Sequence, residues 1–288
     1  MAAAKYNARG SPGNCSKTMA ERMQEDIAGW VERIRQGDVP AISRAISWIE
    51  DGEARGQELL QALLPHTGRA ALIGVTGAVG SGKSNLVDCL AALLQTRGKT
   101  VGILAVDPSS PFSGGALLGD RIRMRTQANE AGAYIRSMAT RGSLGGLSRA
   151  TLDAARVLDA AGKEYILIET VGVGQAEVEI ARLADVTLVL LTPGMGDDVQ
   201  AMKAGVMEIA DVFVLNKSDL PGAERVEQEV QSLLSVAPRV EEEEWQPPIV
   251  KTVATENKGV EQLLEAIEKY LDFSKARGRR KLPRVSQD

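Results

Sequence analysis

The strongest chemical signal in the chain is Gly77-Ala78-Val79-Gly80-Ser81-Gly82-Lys83-Ser84. These residues fit G-x-x-x-x-G-K-[ST] without a mismatch, between an apolar run and an amphipathic stretch. Gly77, Gly80 and Gly82 let a backbone turn its N–H groups inward and come close to a phosphate. A helix beginning near Lys83 would aim the positive end of its dipole at the same point. Lys83 is then placed for the β- and γ-phosphates of a nucleotide, and the Ser84 hydroxyl for magnesium.

A second constellation, Asn216-Lys217-Ser218-Asp219, follows the apolar run Val212–Leu215. Guanine presents N1–H and its 2-amino group as two adjacent donors, and the Asp219 carboxylate can accept both. Adenine offers no such pair and would leave the carboxylate unpaired, which is costly. The Lys217 stem can cover the base plane, while Asn216 ties this loop to the phosphate loop. The two motifs together predict a magnesium-dependent enzyme that binds and hydrolyses GTP to GDP. Val253, Ala254 and Thr255, after the run Ile249–Thr252, stand where a backbone N–H would reach the guanine carbonyl.

Three carboxylates are candidates for holding magnesium or its waters: Asp107, Asp120 and Glu169. Asp107 and Glu169 close apolar runs, and residues at the carboxyl ends of parallel strands face the ligand crevice. Glycines crowd around these acids, at Gly114, Gly115, Gly119, Gly142, Gly145, Gly146, Gly172 and Gly174. Such loops suit segments that order with GTP and relax with GDP.

The elements that must position these residues are legible from periodicity. Six short apolar runs, Ala71–Val75, Val101–Val106, Tyr165–Ile168, Val186–Leu191, Val212–Leu215 and Ile249–Thr252, read as buried parallel strands. Helical stretches alternate with them, most clearly Leu86–Thr96, Leu147–Ala160 and Val260–Leu271. The fold class is therefore α/β: a mostly parallel sheet flanked by helices. Before it, apolar residues recur at helical spacing from Met19 to Leu64, with a break at Gly37 and Asp38 and a helix start at Pro40. The expected organisation is a disordered segment over 1–18, an N-terminal helical extension over 19–68, the nucleotide domain over 69–272 and a short basic tail over 273–288.

Composition narrows the partners. Aromatics make up 3% of the chain and the net charge is −4, so no stacking platform or basic stripe for nucleic acid is expected. Two cysteines, Cys15 and Cys89, and one histidine, His66, supply no disulfide framework and few soft metal ligands. No apolar run is long enough for a transmembrane helix, and residues 1–16 lack a signal peptide's apolar core, so a cytoplasmic protein without a membrane partner is expected. The acidic run Glu241–Glu244 and the basic residues from Lys275 to Arg284 read as solvated segments.

Beyond the nucleotide motifs, several segments closely resemble the MeaB/ArgK family of P-loop GTPases. They are Val106–Pro111, Gly119–Met124, Thr140–Gly146, Glu169–Gln175 and Pro193–Gln200, within a resemblance running from about residue 20 to 272. A human relative of that family is the methylmalonic aciduria type A protein. The resemblance implies a GTPase chaperone of an adenosylcobalamin-dependent acyl-CoA mutase, which gates cofactor loading and protects or reactivates the mutase. By resemblance, Asp107, Asp120 and Glu169 are magnesium and switch carboxylates, with Lys83, Asp107 and Glu169 serving catalysis. Pro193–Gly205 resembles a switch facing the mutase, with Asp197 and Lys203 as its nucleotide-linked charges.

There are departures from the family pattern. Asn85 stands where Thr commonly follows Ser84, and is expected to serve through its backbone N–H. Val253 stands where Ser is usual. Family members continue past the position of Leu271 into a helical dimerisation arm, so the short C-terminus puts the usual homodimer interface in question. Gln175 is the candidate for orienting the attacking water, although its offset from Glu169 differs from that in Ras-like GTPases. Two other functions remain open: a metallochaperone-type GTPase for metalloenzyme maturation, and an ATP-dependent kinase linked to amino-acid transport. The scarcity of Cys and His argues against the first, and Asn216–Asp219 against the second.

Overall fold

The computed structural model describes residues 19–107, 133–139, 149–170, 176–194, 208–236 and 245–278. Three helices come first: α1 (Met19–Arg35), α2 (Val39–Glu50) and α3 (Ala54–Leu63). Then follow β1 (Ala71–Gly77), α4 (Lys83–Thr96), β2 (Val101–Asp107), β3 (Tyr134–Ala139), α5 (Arg149–Ala160) and β4 (Tyr165–Glu169). The chain continues through α6 (Ala176–Leu183), β5 (Val186–Leu191), β6 (Val212–Asn216), α7 (Ala223–Val236), β7 (Ile249–Thr252) and α8 (Val260–Ala276). Among these residues no helix is long and apolar enough to cross a membrane.

The strands form one sheet in the order β3-β2-β4-β1-β5-β6-β7. Every pairing is parallel. All carboxyl ends therefore lie along one margin of the sheet. Side-chain alternation splits the core between the two faces. Leu72, Leu104, Ile166 and Ile168 pack with α2, α3 and α5. Ile73, Val75, Ile103, Leu188 and Val214 pack with α4 and α8 on the other face. A third cluster seats α7 against Phe213 and Leu215.

The expected α/β class is the observed one, with one strand more among the described residues than the six read from the sequence. The strand that escaped, β3, alternates Ile135 and Met138 with Arg136 and Ser137, so it lacks a continuous apolar run. Among the described residues it pairs with β2 alone and lies at the margin of the sheet, where one strand edge needs no apolar cover. The helix expected to begin near Lys83 does begin there, three residues before the clearest part of its pattern at Leu86, and α8 runs on past Leu271 to Ala276.

α2 begins as its sequence predicts. The Asp38 side chain accepts the Ala41 N–H at 3.2 Å, and Pro40 occupies the first turn. Ala41, Ile42, Ala45, Ile46 and Ile49 then give it a buried stripe. Its polar side holds β3: Ser43 Oγ and Tyr134 OH share a hydrogen bond of 3.2 Å, and Arg136 donates to Ser47 Oγ and Glu50.

The approach to β1 depends on one carboxylate. Asp159 of α5, 5% exposed, accepts the backbone N–H groups of Gly68, Arg69 and Ala70. Replacing it with alanine would leave these donors without their acceptor, the Ala70 N–H in a buried place and the other two partly shielded from water. Asp159→Ala should cost about 2–4 kcal/mol of stability, and Asp159→Asn, which keeps a carbonyl acceptor, should cost less. Urea unfolding checks this; an unchanged midpoint for Asp159→Ala would mean that the three amides find other partners.

Candidate functional site

The candidate residues that the structure describes gather at the carboxyl ends of the strands. β1 ends on Gly77 with φ +141°, and a Cβ there would sit 2.5 Å from the Leu190 carbonyl oxygen of β5. The loop from Ala78 to Gly82 then turns into α4, with the Ser81 N–H donating to the Ala78 carbonyl at 3.2 Å. No side chain caps α4 at Gly82, which has φ +92°. The N-terminal amides and the positive end of the helix dipole face the loop, an arrangement that attracts anions.

Lys83 is buried, at 7% exposure, and its ammonium lies back across the loop. Nζ donates to the Gly77 carbonyl at 2.9 Å and to the Ala78 carbonyl at 3.0 Å. One residue on, Ser84 Oγ donates to Glu169 Oε1 at 2.6 Å. Glu169 ends β4 and is 8% exposed. In the β2–β4 pairing Ala105 is opposite Glu169, so Asp107, two residues further, closes β2 beside it. Behind this cluster Thr170 Oγ1 donates to Thr76 Oγ1 at 2.9 Å, locking the end of β4 to β1. A hydroxyl and a carboxylate in contact are hard oxygen donors, a set that suits Mg²⁺.

Asn216 ends β6 and is almost wholly buried. Its Nδ2 donates to the Ser81 carbonyl at 2.9 Å, joining the base-side loop to the phosphate loop. Its Oδ1 accepts the Thr252 hydroxyl at 3.1 Å and the Ala254 N–H at 3.2 Å. Gly82 makes room for this junction, because a Cβ there would lie 2.4 Å from Asn216 Nδ2. Lys217 is left-handed, with φ +55°, and its Nζ donates to the Gly80 carbonyl at 2.8 Å. The chain turns there, and Asp219 stands exposed two residues later.

The segment after β7 is folded tightly. Val253 and Lys258 exchange backbone hydrogen bonds of 3.0 and 3.3 Å, and Ala254–Glu256 form a short 3₁₀ turn. Val253 and Ala254 are buried, whereas Thr255 and Asn85 are exposed. Lys258 has its pKa raised above the ordinary lysine value, first by the hydrogen bond its ammonium donates to Glu256 and by that carboxylate's charge, with a smaller contribution from Asp219. The sequence reading passed over Lys258, and it also passed over Thr252 as a partner of Asn216. A Thr ending the strand next to an N-K-x-D loop is the signal that could have found the latter.

Residues 42–288 match the family model described as methylmalonyl Co-A mutase-associated GTPase MeaB. The chain belongs to this family. A putative GTPase of Pyrococcus abyssi is 48% identical over 252 residues, spanning 87% of this chain and 78% of the relative. The mouse protein named methylmalonic aciduria type A homolog, mitochondrial, is 34% identical over 278 residues, spanning 88% and 66%. Among solved structures, one titled LAO/AO transport system kinase superposes with a TM-score of 0.72 at 30% identity, covering 89% of this chain and 78% of that one. Membership of the MeaB family makes the chain a P-loop GTPase, a hydrolase that binds GTP and GDP. Asp120, Gln175, Asp197 and Lys203 lie outside the described residues, and so does the side chain of Asp107.

Proposed function

We propose that this GTPase is a nucleotide-gated chaperone of an adenosylcobalamin-dependent acyl-CoA mutase of the methylmalonyl-CoA type. The observation that carries the reading is the match to the mutase-associated MeaB model over most of the chain. The 34% identity to the mouse methylmalonic aciduria type A homolog supports it.

In this reading the loop Gly77–Asn85 wraps the phosphates with its amides, and Lys83 turns its ammonium from the loop carbonyls to the β- and γ-phosphate oxygens. Ser84 and Glu169 would hold Mg²⁺, with Asp107 and Asp120 orienting its waters. Bound there, the ion would neutralise charge on the β- and γ-phosphates. Asp219 accepts from guanine N1–H and the 2-amino group, Lys217 lies along the base, and Asn216 keeps the two loops in register. Val253–Thr255 face the guanine carbonyl. Gln175 orients the attacking water, and Asp197 and Lys203 couple the nucleotide to the mutase.

The test is a binding and loading assay with a purified methylmalonyl-CoA mutase. The protein should bind the mutase, and transfer of adenosylcobalamin to the mutase should differ between GTP and GDP. If no acyl-CoA mutase binds in either nucleotide state, the chaperone role falls and the GTPase stands.

A further inference from the structure

Cys89 lies in α4, five positions beyond Ser84, and its thiol reaches a segment 165 residues away in sequence. Sγ donates to the Ala254 carbonyl at 3.0 Å, a short contact for a sulfur donor. The same residue is held from its other side, since the Ala254 N–H donates to Asn216 Oδ1 at 3.2 Å. Ala254 is thus gripped by the phosphate helix through its carbonyl, which also accepts the Asn257 N–H of its own 3₁₀ turn at 3.3 Å, and by the base-side loop through its N–H. The peptide between Ala254 and Thr255 is trans, so the Thr255 N–H points opposite to the Ala254 carbonyl. A carbonyl drawn towards α4 turns that N–H away from α4.

We propose that Cys89 is a positioning residue for guanine recognition, its S–H acting with the turn's own Asn257 N–H to fix the orientation of the Ala254–Thr255 peptide. This rests on the reading of Val253–Thr255 as the segment that faces the guanine carbonyl. The role requires the protonated thiol, because a thiolate would meet the carbonyl oxygen with its own negative charge. Burial, and then the Asp88 carboxyl beside it, push the thiol's pKa up and keep the donor hydrogen in place. Two features of the sequence become one device. The phosphate helix, which holds the nucleotide's anionic end, also braces the segment that reads its base.

The test compares wild-type protein with Cys89→Ala and Cys89→Ser. Alanine is a strong helix former, so α4 persists without the thiol. Loss of one such hydrogen bond should weaken GDP binding about fivefold in Cys89→Ala. ADP affinity and kcat at saturating GTP should stay unchanged, so the preference for GDP over ADP falls by the same factor. Cys89→Ser keeps a donor and should restore the preference. If Cys89→Ala keeps the wild-type GDP-to-ADP ratio, or loses both affinities alike, the positioning role is overturned. Wild-type protein that binds ADP as tightly as GDP would overturn the guanine reading itself.

Discussion

Replacing Lys83 with alanine is expected to slow GTP hydrolysis on the order of a thousandfold, the scale seen when one preorganised charge-stabilising donor is lost. Two effects act together. The variant lacks the cation placed to meet the charge that develops on the transferred phosphoryl group. It also lacks the hydrogen bonds from Nζ to the Gly77 and Ala78 carbonyls, which brace the first turn of the loop. GTP affinity should fall as well, since the same ammonium binds the ground-state phosphates. Single-turnover hydrolysis at saturating GTP separates the two losses. Near-wild-type turnover would mean that the phosphate site is not the loop Gly77–Ser84.

Asp219→Asn should move the protein from guanine towards xanthine. The carboxylate offers two acceptor oxygens, matched to two adjacent donors on guanine. An amide keeps one acceptor and sets an NH₂ against the guanine 2-amino group, so one hydrogen bond is lost and two donors are opposed. Xanthine carries a carbonyl at that position and pairs with the amide. GDP affinity should fall on the order of a hundredfold, as expected for losing charge-assisted hydrogen bonds to a specific edge. XDP affinity should rise. Displacement of a labelled nucleotide by GDP, XDP and ATP measures the preference directly. An unchanged ratio would remove Asp219 from base recognition, and displacement by ATP as effective as by GTP would favour the transport-linked kinase reading.

The exposed position of Asp219 depends on the left-handed backbone of Lys217. That conformation is uncommon outside glycine, Asn and Asp. Here the Lys217 ammonium, anchored on the Gly80 carbonyl, helps hold it. The order Asn-Lys-x-Asp already announces this loop, because a turn of contiguous residues is a local property. The grip that the phosphate loop has on it is not local. Asn216 and Ser81 are 135 residues apart, and their contact exists only because β1 and β6 lie on either side of β5.

The strands show the same division. β5, apolar at five of its six positions and buried throughout, reads as a strand without help. β3 does not, since Arg136 and Ser137 break its pattern and its place is decided by β2 on one side and by α2 above it. The Tyr134 hydroxyl and the Arg136 guanidinium become intelligible only when Ser43, Ser47 and Glu50 are brought opposite them.

By itself the sequence determined the phosphate loop, the N-K-x-D loop and the alternation of apolar runs with helical stretches, because each depends on the conformation or burial of neighbouring residues. Only the tertiary structure decided which side chains meet. Ser84 reaches Glu169 across 85 residues, and Cys89 reaches Ala254 across 165. Parallel strands joined by helical crossovers bring such residues to one margin of the sheet, and the distance between them there depends on strand order and register, which no local spacing encodes.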